Sequence, residues 1–157
     1  MWRRLIYHPE INYALRQTLV LCLPVTVGLI AGRLDLGLLF SLVPACCNIA
    51  GLDTLHKRFF KRVIIGGTLF AGSSLTVQLL LTQNIPLPLI LTGLTLLLGV
   101  TAEISALHGR LLPASLIAAI FTLSLAGNMP IWEPLLIYGL GTLWYGAFNA
   151  FWFWLWR

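Results

Sequence analysis

The chain has 157 residues, 59% of them hydrophobic and only 10% charged, with a formal net charge of +5. So little polar surface cannot cover a water-soluble globule, which places the chain in a membrane. Cys22, Cys46 and Cys47 all fall in apolar runs and are badly spaced for a bridge or a zinc site, so they read as small core residues and no metal is expected.

The start, "MWRRLIY", puts Trp2, Leu5 and Ile6 on one side and two arginines on another, the pattern of an interfacial anchor. Pro9 suits a first helical position and Glu10 a first turn, so a helical lead-in from about residue 9 precedes the first span. A signal peptide is the competing account of this region. The run "TLVLCLPVTVGLIAG" lacks a convincing small-residue cleavage site and more spans follow it, so it is read as retained.

A window of about 19 residues, enough to cross roughly 30 Å of hydrocarbon, selects six segments. They are about 14–32, 36–51, 63–82, 87–103, 111–127 and 134–156, separated by short polar breaks. The fold class is therefore an all-α membrane protein, with six transmembrane helices arranged as three antiparallel hairpins in a single domain over 1–157. The runs are continuously apolar rather than alternating, which argues against a β-barrel. With a cytoplasmic N-terminus, nine of the ten Lys and Arg fall inside and only Arg33 outside, so both termini are expected in the cytoplasm.

Within the first hairpin, Pro24 and Pro44 lie mid-span. Each removes a backbone hydrogen bond and is either a kink satisfied by neighbouring helices or part of a broken-helix solute path. Asn48 follows closely, and hydrocarbon will not satisfy its amide, so it should face the bundle or a cavity.

The run "GLDTLHKRFFKR" concentrates Lys57, Arg58, Lys61 and Arg62. Asp53 or Thr54 is a natural N-cap, so the third helix should start near residue 54 and project below the membrane. The cations then form one stripe, with Phe59 and Phe60 beside it at the lipid interface. The stripe is a topology anchor first. Cations at a helix N-terminus oppose the macrodipole, and either lipid headgroups or an anionic solute gathering at an entry would offset that cost.

Small residues predict where helices meet: Gly28 with Gly32, Gly67 with Ala71, and Thr142, Gly146 and Ala150 at four-residue intervals. Ser73 and Ser74 are polar candidates for lining a path. On another face of the last span, Trp144, Phe148, Trp152 and Trp156 form a ridge that faces either lipid or another subunit. Glu103 and His108 read as a snorkelling carboxylate and a loop histidine rather than a proton-coupling pair. No nucleotide, metalloprotease or nucleophile-elbow motif is present, so neither an enzymatic activity nor a cofactor is expected, and a basic stripe against a bilayer is a poor partner for nucleic acid.

Four stretches carry a family resemblance: "MWRRLIYHPEINYALRQTLVL", "LFSLVPACCNIAGLDTLHKRFFKR", "LLPASLIAAIFTLSLAG" and "WEPLLIYGLGTLWYGAFN". Together they resemble the N-terminal membrane region of the YccS/YhfK-type branch of the fusaric-acid-resistance-like superfamily of bacterial inner membranes. That superfamily includes the aromatic acid exporters. The resemblance implies a longer parent with cytoplasmic domains and a second membrane half absent here. It implies export or channel-like passage of organic anions, with Arg62, Gly66, Gly67 and Thr68 occupying a pattern common at the start of the third helix. The alternative is a non-transporting membrane anchor that oligomerises and holds cytoplasmic domains. Expected partners are the lipid bilayer, small organic anions and a second copy in a homodimer.

Overall fold

The computed structural model describes residues 8–52, 58–103, 105–125 and 130–155. Within them the chain forms six α-helices: α1 (Pro9–Ile30), α2 (Leu34–Ile49), α3 (Phe59–Thr82), α4 (Leu87–Ala102), α5 (Ala106–Leu125) and α6 (Trp132–Leu155). Each coincides with an expected span to within a few residues. Helices α1, α3 and most of α5 are long and apolar enough to cross a membrane. Helices α2 and α4 have 16 residues each, or about 24 Å of rise, short of about 30 Å of hydrocarbon.

The helix ends follow from local chemistry. Pro9 opens α1 with Glu10 in its first turn, as its missing N–H and the macrodipole favour. Helices α1, α2 and α3 close with the same device. Gly32, Gly51 and Asn84 take positive φ, and the next residue's N–H reaches back to a carbonyl in the last turn: Arg33 to Gly28 (2.8 Å), Leu52 to Cys47 (3.0 Å) and Ile85 to Leu80 (3.3 Å). This is the Schellman arrangement, in which a left-handed residue satisfies carbonyls that would otherwise be orphaned. Gly32 therefore belongs to a turn, with open space where a Cβ would lie, and is not the packing partner of Gly28 that its spacing suggests.

Sequential neighbours do not all pair, so the expected set of three hairpins does not organise the bundle. Helices α2, α3, α5 and α6 form the centre: α2 and α3 each pack on both α5 and α6. Helix α1 lies outside against α2, and α4 outside against α5 with lesser contact to α3. Chain direction still alternates. Gln17 meets Asn48 and Gly28 meets Gly37 across antiparallel α1 and α2, while Gly66–Leu111 and Ser73–Ser115 run in parallel across α3 and α5. One end of the bundle thus carries the starts of α1, α3 and α5 and the ends of α2, α4 and α6.

The centre is filled by Val43, Cys46, Cys47, Phe70, Leu111, Ala114, Ala118, Tyr138 and Tyr145, all buried. Outward-facing leucines such as Leu89, Leu96, Leu97 and Leu143 are exposed, as expected where lipid replaces water as the solvent. Phe60 is exposed, but Phe59 turns inward beside Tyr145 rather than toward the interface.

Candidate functional site

Polar side chains collect where α1, α2 and α6 meet, at the end of the bundle that carries the start of α1. Two consecutive residues of α1 flank this seam. Gln17 points toward α2, where its side-chain oxygen accepts from Asn48 Nδ2 at 2.5 Å. Asn48 Oδ1 in turn accepts from the Tyr145 hydroxyl of α6 at 3.2 Å. This relay crosses three helices and leaves Gln17 Nε2 as its outer, unpaired donor. Arg16 points toward α6. Its guanidinium carbon lies 4.9 Å from the centre of the Phe153 ring and 5.3 Å from that of Tyr13. Cation–π contact is worth about 2 kcal/mol when desolvated, which offsets part of the several kcal/mol that burying a charge costs. Arg16 is nevertheless 5% exposed, its Nε has no hydrogen-bond partner, and no carboxylate among the described residues pairs with it. Asn149, one turn from Tyr145, donates to the Tyr145 carbonyl at 2.8 Å and leaves its buried Oδ1 unpaired.

Aromatic rings line the seam. Trp144, Phe148 and Trp152 follow one another with centroids 5.4 and 5.9 Å apart, the first pair tilted and the second stacked. Both indoles are anchored to α1: Trp152 Nε1 donates to Asn12 Oδ1 (2.8 Å) and Trp144 Nε1 to the Val20 carbonyl (3.2 Å). Trp144 and Trp152 of the ridge therefore face the chain's own first helix, with Trp144 and Phe148 half-buried; Trp156 lies outside the described residues.

The Val20 bond explains how Pro24 is accommodated. A proline at position 24 supplies no N–H to the carbonyl four residues earlier, and Trp144 replaces the missing donor. Helix α1 runs continuously through it. Pro44 is handled differently: it is buried, and the Phe40 carbonyl it frees lies beside Gly141, where an added Cβ would sit 3.4 Å from the oxygen. Beyond Trp144, a groove of about 490 Å³ continues along the seam, lined by Pro24, Val27, Gly28, Gly37 and Phe40, with Arg33 among its lining residues. Arg33 also meets Asp35 (3.5 Å) and Glu133 (3.8 Å).

The basic run lies at the same end as the polar seam. Lys57, Asp53 and Thr54 are outside the described residues. Arg58 precedes the first turn of α3 and is exposed, as is Lys61, while Arg62 is half-buried. Arg110 reaches to within 3.8 Å of where a Cβ on Gly51 would lie. Ser73 and Ser74 do not join Asn48. They sit about 21 Å further along α3 from its start at Phe59, and Ser73 donates to the Ser115 carbonyl of α5 at 3.0 Å. The other small residues mark close packing. A Cβ on Gly28 would come within 2.7 Å of Gly37 Cα, one on Gly67 within 2.6 Å of Thr142 Cγ2, and one on Gly146 within 3.6 Å of Phe60. Ala71 packs on the core and Ala150 is half-buried. His108 Nδ1 lies 2.7 Å from Ser105 Oγ, a local contact within one turn, while Glu103 caps α4 and is exposed.

Sequence reasoning counted Arg16 only as a topology charge and passed over Gln17, Tyr145 and Asn149. The available signal was "NYALRQ" and "YGAFNAF", polar residues at helical spacing inside apolar spans, which hydrocarbon leaves unsatisfied.

Residues 62–157 match the family described as FUSC-like inner membrane protein yccS. The chain is 78% identical over 151 residues to a protein of Escherichia coli (strain K12) described as "Uncharacterized protein YhfK", a match covering 96% of this chain and 22% of that protein. The chain thus spans about a fifth of that relative's length. No solved structure matches.

Proposed function

Because this chain belongs to the FUSC-like inner membrane protein family, we propose that it is the membrane part of a transporter-like protein that passes small organic anions outward from the cytoplasm, catalysing no reaction. In this reading all six helices cross the bilayer, with both termini in the cytoplasm and a second copy or a second membrane half beside them. The observation that carries it is Arg16, a buried cation without an acidic partner among the described residues, at the basic end of the bundle. Lys57, Arg58, Lys61 and Arg62 gather anions at that end, as a concentrated surface charge does. Asn48, Pro24 and Pro44 lie on or beside the seam that leads away from it. No charged residue occupies the middle of any helix, which favours passive passage over stoichiometric coupling.

A second reading, a non-transporting anchor that oligomerises, draws on the filled centre, where Phe70, Leu111, Tyr138 and Tyr145 leave the space between the inner helices apolar and closed. The two are separated by reconstituting the full-length protein in liposomes and measuring flux of aromatic and dicarboxylic anions. The wild type is compared with a variant carrying Lys57→Gln, Arg58→Gln, Lys61→Gln and Arg62→Gln, after a topology reporter shows unchanged orientation. Transport predicts flux that falls in the variant. Absence of flux for every anion favours the anchor.

A further inference from the structure

We infer that Arg16 and Gln17 form an oxyanion-binding subsite inside the α1–α2–α6 seam, occupied by the carboxylate of a solute. The inference deepens the transport reading and rests on it for the identity of the occupant, though not for the existence of the site. Three buried polar atoms of the seam lack partners: Arg16 Nε and Gln17 Nε2, both donors, and Asn149 Oδ1, an acceptor. Arg16 and Gln17 are each more than nine-tenths buried. A carboxylate is acceptor-only, so it suits the free donors of these two consecutive residues, whereas Asn149 Oδ1, itself an acceptor, suits a hydroxyl or a water.

The surroundings fix both donors. The Tyr145–Asn48–Gln17 relay orients the Gln17 amide so that its oxygen is spent on Asn48 and its nitrogen is not. Phe153 and Tyr13 bracket the Arg16 guanidinium by cation–π contact, which holds the charge in place without neutralising it. An ion pair would have cancelled the charge. Aromatic rings leave its field available to an incoming anion while limiting the cost of its burial. An anionic lipid headgroup offers the same oxygen chemistry as a solute, and the experiment separates the two.

The test uses the full-length protein in nanodiscs of phosphatidylcholine alone and of phosphatidylcholine with phosphatidylglycerol, with benzoate as the solute probe and thermal unfolding as the readout. A ligand that binds only the folded state raises Tm with its concentration. In phosphatidylcholine, benzoate should raise the wild-type Tm, and the apparent affinity should weaken at least about tenfold in Arg16→Gln and in Gln17→Leu, as loss of a hydrogen bond to a charged group predicts. Without benzoate, Arg16→Gln should unfold at the same or higher temperature than the wild type, because removing an unpaired buried charge relieves its desolvation. A structural arginine would instead lower Tm and leave the benzoate response intact, and that pair of results would overturn the site. A rise that appears only with phosphatidylglycerol and ignores benzoate would assign the subsite to lipid phosphate and overturn the solute. Benzoate binding lost in Arg16→Gln in a protein that transports no anion leaves the subsite standing and removes the transport reading. Flux with binding unchanged in both variants does the reverse.

Discussion

The α3–α5 interface and the α1–α2–α6 seam both join helices within an apolar chain, with opposite kinds of side chain. Between α3 and α5, Gly66 leaves room for the Leu111 side chain, and Ser73 spends its hydroxyl on the Ser115 carbonyl. Between α1 and α6, tryptophans and long polar side chains make most of the contact, while α1 and α2 close on each other at Gly28 and Gly37 further along. Both regions leave buried polar atoms unpaired. On α3 and α5 they are neutral hydroxyls, those of Ser74 and Ser115; in the second region they include one guanidinium nitrogen, Arg16 Nε. A buried hydroxyl without a partner costs about 1–3 kcal/mol and a charged donor more, so the second region has the stronger reason to take a ligand.

The contrast predicts a ranked set of effects. The largest belongs to the tightly packed region: Phe70→Ala, at a fully buried position, should destabilise by about 3–5 kcal/mol, read by thermal or denaturant unfolding in detergent. Next comes the crossing of α1 and α2. Gly28→Ala should cost about 1–3 kcal/mol because its new Cβ meets the Gly37 backbone, which cannot move aside as a side chain would. The Trp144 indole comes third. Trp144→Phe should cost about 1 kcal/mol for the lost bond to the Val20 carbonyl. The same change should cost about 0.5 kcal/mol less in a Pro24→Ala background, where the alanine N–H restores the helix donor, and a double-mutant cycle measures the difference. A cycle with no coupling would separate the indole from the proline. Smallest is Gly72→Ala on the open face of α3, which should be neutral or stabilising by up to about 1 kcal/mol, since nothing lies near the new methyl and alanine favours the helix.

The sequence made the helices legible because length and continuous apolarity are local properties: every span lies within a few residues of the helix found. Pairing was not legible. Short loops suggested α5 with α6, yet α6 returns to α2 and α3, because Gly141 and Gly67 accept Val43 and Thr142 across those contacts. Gly32 shows the limit of spacing as a guide, since the same four-residue interval describes a packing pair and a helix terminus, and only φ distinguishes them. Asn48 was legible as a polar group needing a partner. Its partners Gln17 and Tyr145 lie 31 and 97 residues away, so the cluster exists only once three helices are brought together. The aromatic ridge was legible as a periodic face, but its direction depended on Asn12 and the carbonyl freed by Pro24, both on another helix.

The sharpest experiment compares the two regions as routes. Benzoate flux through proteoliposomes containing the full-length protein is measured for the wild type, Arg16→Gln and Ser73→Ala at matched protein content. Arg16→Gln should lower flux at least about tenfold, in line with loss of a charge-assisted hydrogen bond, while Ser73→Ala should leave it unchanged. Flux that survives Arg16→Gln and falls with Ser73→Ala would refute a path along the α1–α2–α6 seam and move it to the interface of α3 and α5.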